Sequence, residues 1–106
     1  MYQVKKRDGK IAEFNLQKIA AAITKAFEAQ EVMTHPDIID MLALKVTADF
    51  TTKIQDGFVD VEDIQDSVES VLIQAGYSEV AKRYIIYRKQ REKIRNMKST
   101  VLQMLL

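Results

Sequence analysis

Three adjacent cations, Lys5, Lys6 and Arg7, stand against an Asp8-Gly9 pair near the start of the chain. Tyr84, Tyr87, Arg88, Arg91 and Arg95 recur near its end. A helix through this second group shares Val80, Tyr84, Tyr87 and Arg91 along one face and Tyr84, Arg88, Arg91 and Arg95 along its neighbour, because residues three and four apart are aligned. Arg binds phosphate with two parallel N–H bonds, and an aromatic ring stacks on a base or sugar. An aromatic stripe that turns into an arginine stripe therefore suits a nucleotide. A competing reading needs no ligand: Tyr and Ile at helical spacing usually form core, and Arg near a helix C-terminus usually complements the dipole.

On a strand the N-terminal cations alternate, Lys6 to one face and Lys5 and Arg7 to the other. A cation facing packed helices is costly unless an anion accompanies it. Lys18 lies one turn beyond Asn15, at the hairpin end of the first expected helix. Together Lys6, Arg7, Lys18, Arg88 and Arg91 can converge on one phosphate cluster. Other chemistries lack their residues. There is no Cys and a single His, His35, beside Pro36. The acids of the third expected helix have no His or Cys partner at metal spacing, and there is no GxxxxGK[ST] loop. No catalytic residue and no metal-ligating side chain is expected.

The elements that must position these residues follow from pattern. Strands over 2–7 and 11–14 flank Asp8-Gly9, a pair that favours a type I′ turn with both residues at positive φ. Asn15 caps a first helix to about Gln30, carried by Leu16, Ile19, Ile23, Ala26 and Phe27. Pro36 opens a second helix, capped by Thr34 or His35, with Ile38, Met41, Leu42, Leu44 and Val46 buried and Phe50 near its end. Gln55 to Phe58 reads as a turn. Asp60 caps a third helix with an apolar stripe of Val61, Ile64, Val68, Val71, Leu72 and Ala75, ended by Gly76. Ser78 caps a fourth, running into the mid-nineties or beyond. The expected fold is mainly α (α+β): a four-helix bundle capped by an N-terminal β-hairpin lid.

The 106 residues suffice for one domain, and 47% apolar with 29% charged residues is ordinary for a globular chain. Net charge is +1, but it is unevenly spread. Between Lys53 and Lys82 there are seven acids and no cation, whereas Lys82 to Lys98 holds eight cations and one acid, Glu92. Such asymmetry fits an anion-facing end. Without Cys there is no support for secretion, and no stretch is apolar enough to span a membrane. The expectation is a cytoplasmic location with no membrane partner.

The stretch VKKRDGKIAEFNLQKI (Val4 to Ile19), followed by VAKRYIIYRKQREKIR (Val80 to Arg95), resembles the ATP-cone family. The resemblance covers roughly residues 2–95 and looks most like the N-terminal regulatory domain of an anaerobic (class III) ribonucleoside-triphosphate reductase. It implies an ATP-cone domain over 1–95 and a tail over 96–106 leading into a catalytic domain. It implies ATP or dATP as effector, with Mg2+, sensed to control overall reductase activity rather than consumed. By the same resemblance Lys6, Arg7 and Lys18 match phosphate-binding positions, Val4 borders the base, Gln65 matches a polar position of the third helix, and Tyr87 and Arg91 match aromatic and cationic positions of the last. The implied nucleotide-binding set is Val4, Lys6, Arg7, Asn15, Lys18, Gln65, Tyr87, Arg88 and Arg91. Ala12 and Val61 depart from the family pattern, which in some members has an acid and a hydroxyl there. Expected partners are the catalytic domain of a parent reductase and, through the apolar tail of Val101, Leu102, Met104, Leu105 and Leu106, a second copy. Alternatives are a nucleic-acid-binding helical module, the ATP-cone of a transcriptional repressor of reductase genes, and a purely structural dimerisation domain.

Overall fold

A computed structural model describes residues 2–105, with the side chains of 98–103 and 105 outside that description. Strand β1 (Gln3–Lys5) pairs antiparallel with β2 (Ile11–Glu13), with Val4 opposite Ala12. Both strands are shorter than expected. The connecting turn also differs from the expected type I′. Gly9 has a φ of 85°, whereas Asp8 is not at positive φ. The Gly9 N–H donates to the Lys6 carbonyl at 3.0 Å and the Lys6 N–H to the Lys10 carbonyl at 2.8 Å. This is a type I turn closed by a left-handed glycine. The Asp8 carboxylate accepts the Lys10 N–H at 2.9 Å, a local bond that serves this turn.

The hairpin is not alone. Phe58–Asp60 forms β3, parallel to β1, giving a three-stranded sheet in the order β2-β1-β3. The type I′ geometry occurs just before it. Asp56 and Gly57 have φ of 52° and 80°, and Gln55 and Phe58 exchange both backbone bonds at 2.9 Å. A strand of three residues offers too few alternations to be read from sequence. Val4 and Val59 face the helices and are buried, while Gln3, Lys5, Phe58 and Asp60 are exposed.

Helix α1 (Leu16–Ala29) starts as expected, with Asn15 Oδ1 accepting the Gln17 N–H at 2.9 Å. Helix α2 (Pro36–Phe50) is capped by His35, whose Nδ1 accepts the Asp37 N–H at 3.1 Å. A single 3-10 turn, Thr51–Lys53, follows it. The buried side of α2 is Ile39, Leu42, Ala43, Val46 and Phe50. Met41 and Leu44, expected inside, are 45% and 59% exposed. Apolar residues lie on both sides of this helix, so pattern alone does not choose. The ridge that continues to Phe50 is the one that packs.

Helix α3 (Val61–Gln74) has Asp60 at its N-cap position but no side-chain capping bond. Gly76, φ 89°, ends it as expected. Its N–H donates to the Ile73 carbonyl at 3.1 Å and the Tyr77 N–H to the Leu72 carbonyl at 2.8 Å, the Schellman arrangement. Ala75 is exposed, and Ser67 takes a core position instead. Helix α4 (Ser78–Leu105) includes Ser78 rather than being capped by it: the Ala81 N–H donates to the Tyr77 carbonyl at 2.9 Å.

The helices pack in a ring, α1 on α2, α2 on α3, α3 on α4 and α4 on α1. Ile23, Phe27, Leu42, Val46, Phe50 and Leu72 are essentially fully buried at its centre. The sheet is fastened at one end by Tyr2, Phe14 and Phe50, whose ring centroids lie 4.9 to 5.8 Å apart. At 28 residues α4 is twice the 14 of α1 and α3, about 42 Å long, and it runs past them without a break. Of the expected apolar tail, Met104 is 81% exposed; the side chains of Val101, Leu102 and Leu105, and Leu106 itself, lie outside the described residues.

Candidate functional site

The inner face of the sheet and helices α1, α3 and α4 bound a cleft of about 250 Å³. Each helix offers it a stripe at i, i+3, i+4 and i+7. On α1 and its cap these are Asn15, Lys18, Ile19 and Ala22; on α3, Val61, Ile64, Gln65 and Val68; on α4, Tyr84, Tyr87, Arg88 and Arg91, with Arg95 one turn further. Val4, Lys6, Ala12, Glu13 and Phe14 of the hairpin and the segment after it complete the lining. Ile19, Ile64, Val68 and Tyr84 are buried and make an apolar floor; the cations stand around it.

Eight of the nine sequence-derived residues line this cleft: Val4, Lys6, Asn15, Lys18, Gln65, Tyr87, Arg88 and Arg91. Arg7 stands at its edge. Its Nη1 is 2.8 Å from Glu92 Oε1 and its Nε 3.5 Å from Glu62 Oε1, and its Nη2 donates to Gln65 Oε1 at 3.4 Å. Simple alternation put Arg7 with Lys5 on the far face. Lys5 is indeed there, its Nζ 6.0 Å from the centre of the Phe58 ring. But β1 ends at Lys5, and the turn that follows brings Arg7 back towards α3 and α4. Alternation holds only while the strand lasts.

The cations are not equivalent. Arg88 Nη1 donates to Asp66 Oδ1 and Glu69 Oε1, both at 2.9 Å, and its side chain is 17% exposed. Burial opposes its charge, but the hydrogen bonds to Asp66 and Glu69 outweigh that and hold its pKa above the ordinary value. Arg91 lies with its guanidinium 6.0 Å from the centre of the Tyr87 ring, and Lys25 Nζ is 5.7 Å from the same ring. Tyr87 thus anchors two cations, an attraction of ring quadrupole for charge. Burial pushes the Tyr84 phenol well up, so its hydroxyl is a neutral donor at any physiological pH. Asn15 caps α1 through its oxygen, which leaves its amide N–H groups as donors.

Phe14, Ile19, Ala22, Ile64 and Val68 line the cleft without having been singled out for it, and Tyr84 and Arg95, noted on the aromatic and arginine stripe but outside the nine, line it too. Most read as ordinary core, and they do serve as its outer layer. The signal that finds those on the helices is the shared stripe: Ala22 stands four residues beyond Lys18, and Val68 three beyond Gln65. A second, wider groove of about 640 Å³ runs along α1 from Gln17 to Glu28 and on to the start of α2. Its lining includes Glu28, Glu31 and Asp40 and no Lys or Arg, the wrong sign for a polyphosphate. Among the described residues no group of three or more His, Cys, Asp or Glu is placed to hold a metal ion. No described helix is long and apolar enough to cross a membrane.

Comparison with known proteins fits this geometry. Residues 2–93 match the model of the ATP cone domain family. Ribonucleoside-diphosphate reductase subunit alpha of Chlamydia pneumoniae is 42% identical over 96 residues, which is 85% of this chain and 9% of that protein. The vitamin B12-dependent ribonucleoside-diphosphate reductase of Mycobacterium tuberculosis is 42% identical over 98 residues, covering 92% of this chain and 13% of the relative. An anaerobic ribonucleoside-triphosphate reductase of Haemophilus influenzae is 37% identical over 98 residues, 92% of this chain and 14% of that enzyme. The chain thus spans about a tenth of the length of these relatives. With its cationic hairpin, four helices and a family match over nearly its whole length, this chain belongs to the ATP-cone family.

Proposed function

We propose that this domain binds ATP or dATP in the cleft between sheet and helices and regulates a ribonucleotide reductase of which it forms a part. The observation that carries this reading is the meeting of Lys6 from the hairpin, Lys18 from α1 and Arg91 from α4 around one apolar floor. Cations from three separate elements, joined by Arg7 at the edge, suit a ligand with several negative oxygens. The floor of Ile19, Val68 and Tyr84 with the adjoining Val4 and Phe14 suits a base and sugar. The Ala12 side chain offers no hydrogen bond to the base, so polar recognition there falls to Glu13, Asn15 and the Tyr84 hydroxyl, which line the same cleft. Mg2+ would accompany the nucleotide through its phosphate oxygens rather than through protein side chains. ATP and dATP differ by one hydroxyl, so control by the two requires that each favour a different arrangement of the parent enzyme.

The domain is expected not to turn its ligand over: among the described residues that line the cleft, no nucleophile stands with an adjacent base. ATP incubated with it should stay intact. Melting temperature in the presence of ATP, dATP and a short DNA duplex tests the reading. Ligand bound by the folded domain alone stabilises it. Both nucleotides should raise the melting temperature at moderate salt; a response to duplex only, vanishing steeply with salt, would replace the nucleotide pocket with a nucleic-acid surface.

A further inference from the structure

The hairpin tip is held by carboxylates. Arg7 bridges Glu62 and Gln65, both in the first half of α3, to Glu92 of α4. One guanidinium therefore links the three elements that meet at the mouth of the cleft. Lys6, its neighbour, already lines that cleft, as does Arg91, the neighbour of Glu92. Carboxylate and phosphate oxygens are alternative partners for the same planar fork of N–H donors. Glu62 and Glu92 are 58% and 45% exposed, so water is ready to receive them once they are released.

We infer that Glu62 and Glu92 are affinity-setting residues of the nucleotide site: they hold Arg7 in the ligand-free protein and yield it to the phosphates of the bound nucleotide. This rests on the nucleotide reading of the cleft. Binding must break the 2.8 Å contact between Arg7 and Glu92, and part of the ligand's interaction energy is spent on the exchange. Both acids also repel the incoming anion. A nucleotide with more phosphate charge competes better for Arg7 than one with less. The pairing of Arg88 with Asp66 and Glu69 has a different character. It joins α3 to α4 only and contains no hairpin residue, and its Arg88–Glu69 part, with side chains 17% and 24% exposed, is more deeply buried than either pair of Arg7, so it persists through the exchange.

Glu92→Gln keeps the shape of the side chain and removes its charge. Two measurements on wild type, Glu92→Gln, Arg7→Ala and the double variant test the inference. The first is amide hydrogen exchange at Lys6 and Gly9 without nucleotide, since both N–H groups donate within the hairpin turn. The second is calorimetric titration with ATP. Faster exchange in Glu92→Gln, with ATP bound about two- to fivefold more tightly, is expected, the size following from the strength of an exposed ion pair. The gain should shrink in the Arg7→Ala background. Unchanged exchange, or unchanged or weakened ATP binding in Glu92→Gln while wild type binds normally, would overturn the inference and leave the nucleotide site standing. A wild-type protein that binds no ATP would overturn both.

Discussion

The Nη1 atom of Arg88 lies 2.9 Å from the carboxylate of Glu69, a part-buried pair that ties α4 to α3 directly beside the cleft. Their side chains are 17% and 24% exposed. Breaking such a pair by removing one partner leaves the other poorly solvated. Glu69→Gln should destabilise the domain by about 1–3 kcal/mol, the usual range for losing a charged hydrogen bond. Asp66, bound to the same nitrogen but 56% exposed, should cost less when changed to Asn. Urea denaturation of the two variants checks the order, and a larger loss at Asp66 would refute it.

Tyr84 gives the domain an alkaline limit. Its phenol is pushed up by burial, whereas the unfolded chain has a phenol near the ordinary value of about 10. A group whose folded pKa is raised contributes stability that is present below the unfolded pKa and lost as pH rises above it. Stability should therefore fall above about pH 10, and Tyr84→Phe should weaken that fall. Tyr2, also raised by burial, contributes in the same sense. Melting temperatures of both proteins between pH 8 and pH 11 provide the check; parallel curves would exclude Tyr84 as the source.

Ser67 is 1% exposed on α3, and its Oγ has no hydrogen-bond partner among the described residues. A buried hydroxyl left unpaired carries its desolvation cost uncompensated. Ser67→Ala should leave stability unchanged or raise it by up to about 1 kcal/mol. A clear fall in melting temperature would mean that the hydroxyl has a partner, such as a buried water.

Much of this arrangement is legible in the sequence because local rules govern it. Asn15, Pro36 and Gly76 act at helix ends through bonds to the nearest few residues, and each stands where its chemistry demands. The stripes that line the cleft obey helical periodicity, so Lys18, Tyr87, Arg88 and Arg91 could be placed in advance, whereas Gln65 is placed by the family resemblance alone. What escaped depended on distant contacts. Strand β3 exists because Val59 finds Val4 across more than fifty residues of chain, and three residues carry no pattern of their own. The type of the Asp8-Gly9 turn escaped for a different, local reason. Asp56-Gly57 closes a two-residue loop, whereas the Asp8 carboxylate serves its own backbone and a longer loop results. Strand alternation misplaces Arg7, though the resemblance names it, because a turn rather than a strand decides where it points. The carboxylate ties of Arg7 and Arg88 join α3 to the hairpin and α4, and no spacing rule foretells them.

The most direct test of the central claim is calorimetric titration of ATP and dATP into the wild-type domain, Lys6→Ala, Arg91→Ala and Lys98→Ala. Lys6 and Arg91 line the cleft from opposite elements, and Lys98 lies beyond the residues that match the family. Each of the first two substitutions removes a charged donor from a multiply anionic ligand, worth about 1.5–3 kcal/mol, or roughly ten- to a hundredfold in affinity. Both nucleotides should bind the wild type, Lys6→Ala and Arg91→Ala should each weaken binding by that factor, and Lys98→Ala should bind as the wild type does. Equal losses at Lys98 and Arg91 would reveal a diffuse basic surface and contradict a nucleotide pocket.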